Sequence, residues 1–211
     1  MIAGLLVAAL ALPAVGGMGI TARNIASGFL DMPSQLETPP PPQRSTIYDS
    51  EGGVIAEIFD QNRELVDIDD VSPVMVDAIL AIEDSRFYDH GGLDVSGTLR
   101  AALRTVGGNT EGASSITQQY VKNVQIEAAT SQEELEEARE ETIARKIREL
   151  RYAVALEQRM SKDEILEGYL NIAYFSDGAY GVESAAQHFF QVPASELELH
   201  QAATIAGLVR Y

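Results

Sequence analysis

The chain has 211 residues and sets 15 Lys plus Arg against 32 Asp plus Glu, a formal charge of -17, with no cysteine and three histidines. That acidity excludes a general nucleic-acid binder, because phosphate backbones are held by clustered cations; the lack of cysteine excludes disulfide scaffolds, thiolate metal sites and thiol nucleophiles. Hydrophobic residues at 45% and charged residues at 22% describe an ordinary globular chain with one sizeable core.

Residues 1–22 carry no charge. As a helix rising 1.5 Å per residue they would measure about 33 Å, enough to cross a bilayer core of about 30 Å. The segment reads as a retained membrane anchor rather than a cleaved signal peptide, whose apolar region runs to about 7 to 15 residues. Its flanks do not set an orientation, since no Lys or Arg precedes it and Arg23 follows. Residues 23–44 form a Pro-rich linker in which Pro33 and the run 39–42 enforce an extended spacer. Ile47, Val54, Ile55, Ile58 and Phe59 flank Glu51, Gly52 and Gly53, the pattern of a small β-hairpin over 45–59.

From Ser72 the pattern turns helical, with Ser72 as N-cap, Pro73 at the first helical position and Val74, Ala78, Ile79 and Ile82 as one apolar stripe. This helix ends at Glu83 and Asp84, followed by Phe87, His90 and two glycines. The macrodipole disfavours an anion at that end, a setting that suits a general base. Six glutamates in 131–141 predict a solvated helix or mobile loop. Ile143, Ile147, Leu150 and Val154 recur as a buried face would, which puts Arg145, Glu149 and Tyr152 on the opposite side, free to line a cleft. Arg145, Lys146, Arg148 and Arg151 against Glu149 give this stretch a local balance of +3. Together with Lys122 and Lys162 they suggest a basic floor for a pyrophosphate. Ser161 and Glu164 form a capping box ahead of Ile165, Leu166 and Leu170. A last helix is expected from about Ser195, through Leu199, Ala202, Ile205 and Ala206, to Tyr211, with no stop signal, so the domain reads as C-terminally incomplete. His188 and His200 read as packing or surface groups, and Tyr169 and Tyr174 as core or cleft wall.

Four segments now carry a resemblance. Glu83, Asp84, Phe87, His90 and Gly92 fit E-D-x-x-F-x-x-H-x-G; GASSITQQYVKN, from Gly112 to Asn123, is similar to G-G-S-T-x-T-Q-Q-x-V-K-N, with Ala113 and Ser115 departing; RKIRE, from Arg145, fits R-K-x-x-E; KDEILEGYLN, from Lys162, fits K-x-x-I-L-E-x-Y-L-N. In this order they resemble the peptidoglycan glycosyltransferases of class A penicillin-binding proteins and monofunctional transglycosylases. Ser176, and Gln191 after the aromatic pair Phe189 and Phe190, stand where that family commonly has glycine. No S-x-x-K tetrad is present, so no serine transpeptidase centre lies in these residues.

The resemblance implies a mainly α, lysozyme-like glycosyltransferase domain over 45–211, with a small N-terminal hairpin and a transmembrane helix before it. It further implies polymerisation of lipid II into β-1,4 glycan strands with release of undecaprenyl pyrophosphate. Glu83 is then the general base and Glu149 an assistant at the donor, with substrate held by Asp84, Phe87, His90, Ser114, Thr117, Gln118, Gln119, Lys122, Asn123, Arg145, Lys146 and Lys162. No cofactor is required, although a divalent cation, Mg or Mn, would suit the diphosphate. The implied partners are lipid II, the growing strand, the membrane and cell wall assembly proteins. The implied location is the cell membrane, single-pass, with the domain outside the cytoplasm. A lysozyme-like glycan hydrolase, which also needs paired carboxylates, and a non-catalytic membrane-bound assembly protein are the alternatives.

Overall fold

A computed structural model describes residues 27–91, 114–140 and 142–209. The expected anchor at 1–22, Gly92, Gly112, Ala113, Glu141 and the helix end at Tyr211 lie outside these residues. Within them the chain is mainly helical, with one antiparallel hairpin and a second, two-residue strand pair. No helix among the described residues is long and apolar enough to cross a membrane.

The linker is extended, as its prolines require, and it is also docked. Arg151 donates to the Leu30 carbonyl at 3.2 Å, Arg159 to that of Ser34 at 3.0 Å and Arg63 to that of Pro42 at 3.1 Å. Leu36 packs against the core and the Arg151 guanidinium lies 5.9 Å from the centre of the Phe29 ring. The segment is therefore a strap held by arginines.

The hairpin consists of β1, Ser45–Tyr48, and β2, Val54–Ile58, with Ser45 opposite Ile58 and Ile47 opposite Ala56. Asp49 closes its turn by accepting the backbone N–H of Glu51 at 2.8 Å and Gly53 at 2.7 Å, and Gly52 supplies the positive φ of 87°. β3, Asn62–Arg63, pairs in parallel with β4, Ala179–Tyr180. Arg63 is fully buried there, bonded to Glu127 at 2.9 Å and lying over the Tyr180 ring. A charge so placed persists only because it is paired.

Helix α1, Pro73–Glu83, starts at Ser72, whose hydroxyl accepts Met75 N–H at 3.2 Å. Its buried residues are Met75 and Ile79, while Ile82 is 37% exposed, so the apolar stripe is rotated from the expected one. Packing against the last helix turns Met75 inward and frees Ile82 to face a cavity. Helix α2, Ile116–Ala128, buries Ile116, Val121 and Val124 between its neighbours. Helix α3, Gln132–Arg139, is the glutamate-rich segment and is solvated, as expected.

Helix α4, Ile143–Leu156, reverses the expected burial: Arg145, Glu149, Ala153 and Leu156 face inward, while Ile143 is 81% and Ile147 39% exposed. Burying mutually paired charges is tolerable, and isolated surface apolar residues are common, so periodicity of hydrophobic residues misassigned the face. Helix α5, Lys162–Ile172, opens with the expected capping box and buries Ile165, Leu166 and Leu170. It approaches α2 so closely that a Cβ on Gly168 would stand 2.6 Å from the Tyr120 ring. Helix α6, Val182–Phe190, and helix α7, Leu199–Leu208, complete the fold. The last helix begins later than expected: Ser195 lies in a separate 3-10 turn, and Glu198 with Gln201 forms the cap. Leu199 is consequently exposed, while Ala202, Ile205 and Ala206 are buried.

Candidate active site

The C-terminal end of α1 delivers Glu83, and Asp84 is its C-cap. The Asp84 carboxylate meets His90 Nε2 at 2.8 and 2.9 Å and accepts the Ile116 N–H at 3.3 Å. Asp84 and His90 thus clasp the exit of α1 to the start of α2, with side chains less than a tenth exposed.

Beside this clasp lies a cavity of about 840 Å³. Among the expected site residues, Glu83, Ser114, Gln118, Gln119, Lys122, Asn123, Arg145 and Lys146 line it, drawn from α1, α2, α4 and the segment before α2. Tyr169, Tyr174, Thr142 and the exposed Ile143 complete parts of its wall. Glu83 Oε2 accepts Gln119 Nε2–H at 2.7 Å, and the Gln119 carbonyl oxygen accepts the Tyr169 hydroxyl at 3.3 Å. Glu83 Oε1 is buried and has no hydrogen-bond partner among the described residues.

Glu149 is fully buried beneath two of the lining cations. Arg145 donates to its Oε1, and Lys146 to its Oε2 at 3.1 Å and to Ser114 Oγ at 2.6 Å. Arg145 also donates to the Glu140 carbonyl. These bonds lock α4 side chains into a fork whose cationic groups border the cavity, so the acid serves as their counter-charge and holder. The remaining cations of the +3 stretch turn elsewhere, Arg148 to Glu137 at 2.5 Å and Arg151 to the strap.

Five expected substrate contacts do not line the cavity: Asp84 and His90, which form the clasp, and Phe87, Thr117 and Lys162. Phe87 and Thr117 are at most 1% exposed. Lys162 lies 4.2 Å from the Phe87 ring centre and donates to Glu157 at 2.9 Å, while Thr117 donates to the same carboxylate at 2.5 Å. The physical reason is local: Lys162 opens α5, within reach of the acid five residues before it, and that pair is satisfied away from the cavity. Glu157 is the organising residue here and had no signal in the sequence beyond an acid preceding a lysine. Tyr88, in the neighbouring turn, bonds Asp163 at 2.8 Å; burial, with Asp163 second, pushes its hydroxyl up to about 12.

The sequence departures in the last third also find a place. Ser176 has φ of 76° and Gln191 of 58°, both in the left-handed region that glycine adopts at least cost. His188 and His200 lie on α6 and α7 at the surface, as expected.

A family model described as Transglycosylase matches residues 51–211. Penicillin-binding protein 1A of Neisseria flavescens is 41% identical over 199 residues, covering 92% of this chain and 24% of that protein. Penicillin-binding protein 1A/1B of Bacillus subtilis (strain 168) is 43% identical over 179 residues, 83% of this chain and 18% of that protein. Penicillin-binding protein 1A of Haemophilus influenzae is 42% identical over 186 residues, 87% and 20% respectively. The chain therefore spans a quarter or less of the length of these relatives.

Proposed function

This chain belongs to the transglycosylase family, whose members are glycosyltransferases, and from that premise we propose that it polymerises lipid II into β-1,4 glycan strands during bacterial cell wall synthesis. The supporting observation is one cavity lined by Glu83 together with the cations Lys122, Arg145 and Lys146. A mainly helical chain with a small hairpin suits the lysozyme-like architecture.

The Glu83 carboxylate takes the proton from the acceptor 4-hydroxyl as that oxygen attacks the anomeric carbon of the growing chain. The hydroxyl needs a base because its own acidity is negligible near neutral pH. The bond from the anomeric carbon to the diphosphate breaks, and undecaprenyl pyrophosphate departs with the electron pair. Lys122, Arg145 and Lys146 neutralise the charge that develops on it, the largest electrostatic task in the step. Glu149 assists at the donor by holding Arg145 and Lys146 in place. Ser114, Gln118 and Asn123 supply hydrogen bonds to the donor sugar and phosphates. Among the described residues no group of three or more His, Asp or Glu side chains is placed to hold a metal ion, so no step is assigned to one. A divalent cation would arrive as a counter-ion of the diphosphate. Residues 1–22 anchor the domain at the outer face of the cell membrane, beside its lipid-linked substrate and any cell wall assembly partners. A glycan hydrolase would have no use for three cations around its carboxylate, because a neutral glycan leaves no diphosphate.

Glu83→Gln removes the base while conserving shape. It should lower polymerisation of labelled lipid II by at least about a hundredfold, with the unfolding midpoint unchanged. Near-normal glycan synthesis by this variant would overturn the assignment, and turnover of preformed glycan without polymerisation would favour the hydrolase.

A further inference from the structure

We propose that Tyr169 and Gln119 are positioning residues that aim Glu83, pinning its carboxylate at the cavity wall through one oxygen. The inference rests on Glu83 being the base.

The three residues come from three helices, α5, α2 and α1, and all of them reach the same cavity wall. Tyr169 is fully buried, and its hydroxyl donates to Gln119 Oε1 at 3.3 Å. Gln119 Nε2 in turn donates to Glu83 Oε2 at 2.7 Å. A primary amide has one accepting end and one donating end, and nothing in its shape decides which way it points. An ionised carboxylate can only accept. The Tyr169 hydroxyl, spending its proton on the amide oxygen, leaves only the NH₂ end for Glu83 and so fixes the sense of the chain. Burial, and secondarily the charge of Glu83, hold the Tyr169 hydroxyl above its ordinary range, which keeps it a donor at every working pH.

With Oε2 held by the amide, the carboxylate cannot swing about its stem, and its other oxygen, Oε1, is buried with no hydrogen-bond partner among the described residues. Gln119 is therefore better described as aiming the base than as binding the donor, and Tyr169 gains a role that its ring alone, a core side chain, would not need.

Tyr169→Phe keeps the ring and deletes the hydroxyl. Measured on the intact protein with lipid II, it should lower kcat about tenfold with KM unchanged, because a misaimed base impairs chemistry rather than binding. Gln119→Met, similar in length but without the amide, should lower kcat at least as far. The double variant should be no worse than Gln119→Met alone, since Tyr169 acts only through the amide. Wild-type kcat in Tyr169→Phe, or the same loss from Tyr169→Phe in the Gln119→Met background, overturns the relay. If Tyr169→Phe does not fold, wild-type kcat in Gln119→Met overturns it instead. Glu83→Gln separates the two levels: an active Glu83→Gln enzyme removes the base itself, whereas an inactive one beside a fully active Tyr169→Phe removes only the relay.

Discussion

Lys122 and Lys162 carry the same charge and the same expectation from sequence, yet they end in different environments. Lys122 lines the cavity, whereas Lys162 is about a fifth exposed, paired with Glu157 and seated on the Phe87 ring. Lys122→Ala should lower kcat/KM for lipid II and leave stability within about 0.5 kcal/mol, as for a change away from the packed core. Lys162→Ala should instead destabilise the fold by about 1 to 3 kcal/mol, because Glu157 is left with a lost partner in a mostly buried site. Urea unfolding beside polymerisation kinetics checks both, and a purely kinetic defect in Lys162→Ala would return it to the substrate. Neither outcome is readable from the motif K-x-x-I-L-E, since a lysine at the start of a helix can turn either towards a cleft or back to the preceding acid.

Helices α2 and α5 meet where Gly168 lies against the Tyr120 ring, and this contact sets the separation of the elements that carry Gln119 and Tyr169. Gly168→Ala forces a methyl group into that ring and should cost about 1 to 3 kcal/mol despite alanine's better helix propensity. A rise in the thermal midpoint would show that the two helices separate without cost. At the end of α6 the opposite change helps: Gln191 holds a left-handed C-cap, with its N–H bonded to the Gln187 carbonyl. Non-glycine residues lose about 1 to 2 kcal/mol in that conformation, and glycine loses about 0.5 to 1 kcal/mol of chain entropy. Gln191→Gly should therefore stabilise by up to about 1 kcal/mol, measured as a higher urea midpoint at unchanged slope. The helix starts at Ser72 and Ser161 could be read directly from residue order, because caps act over three or four positions.

Across the whole molecule, the strap ties residues 30 to 42 to the body of the domain through Arg151, Arg159 and Arg63. It reaches the body beside α4, on the side of Arg151. Between strap residues Gln35 to Glu37, α3 and α4 lies a smaller cavity of about 390 Å³ that the main site does not share, apart from Arg145. Each arginine bond contributes about 0.5 to 1.5 kcal/mol, so replacing both Arg151 and Arg159 by alanine should raise the open population about tenfold. Limited proteolysis within 31–38 should accelerate by a similar factor while the helical body stays intact. Unchanged cleavage would mean that the strap is held by Leu36 and its prolines instead.

The residue order already contained the helical class, the hairpin with its Gly turn and the capped helix starts at Ser72 and Ser161, all of which depend on local spacing and side-chain chemistry. Most of the cavity lining came through the four motifs and the family they resemble. Three things lay beyond the residue order. The inward face of α4 carries Arg145 and Glu149 as well as Ala153 and Leu156, because Arg145 and Lys146 satisfy Glu149 and make its burial tolerable. Phe87, Thr117 and Lys162 gather around Glu157 instead of the cavity, and the Pro-rich segment is docked as well as extended. Each of these depends on a partner distant in the chain or on a competition between nearby acids. A pattern of single residues does not encode which partner wins; the packing of helices against one another does.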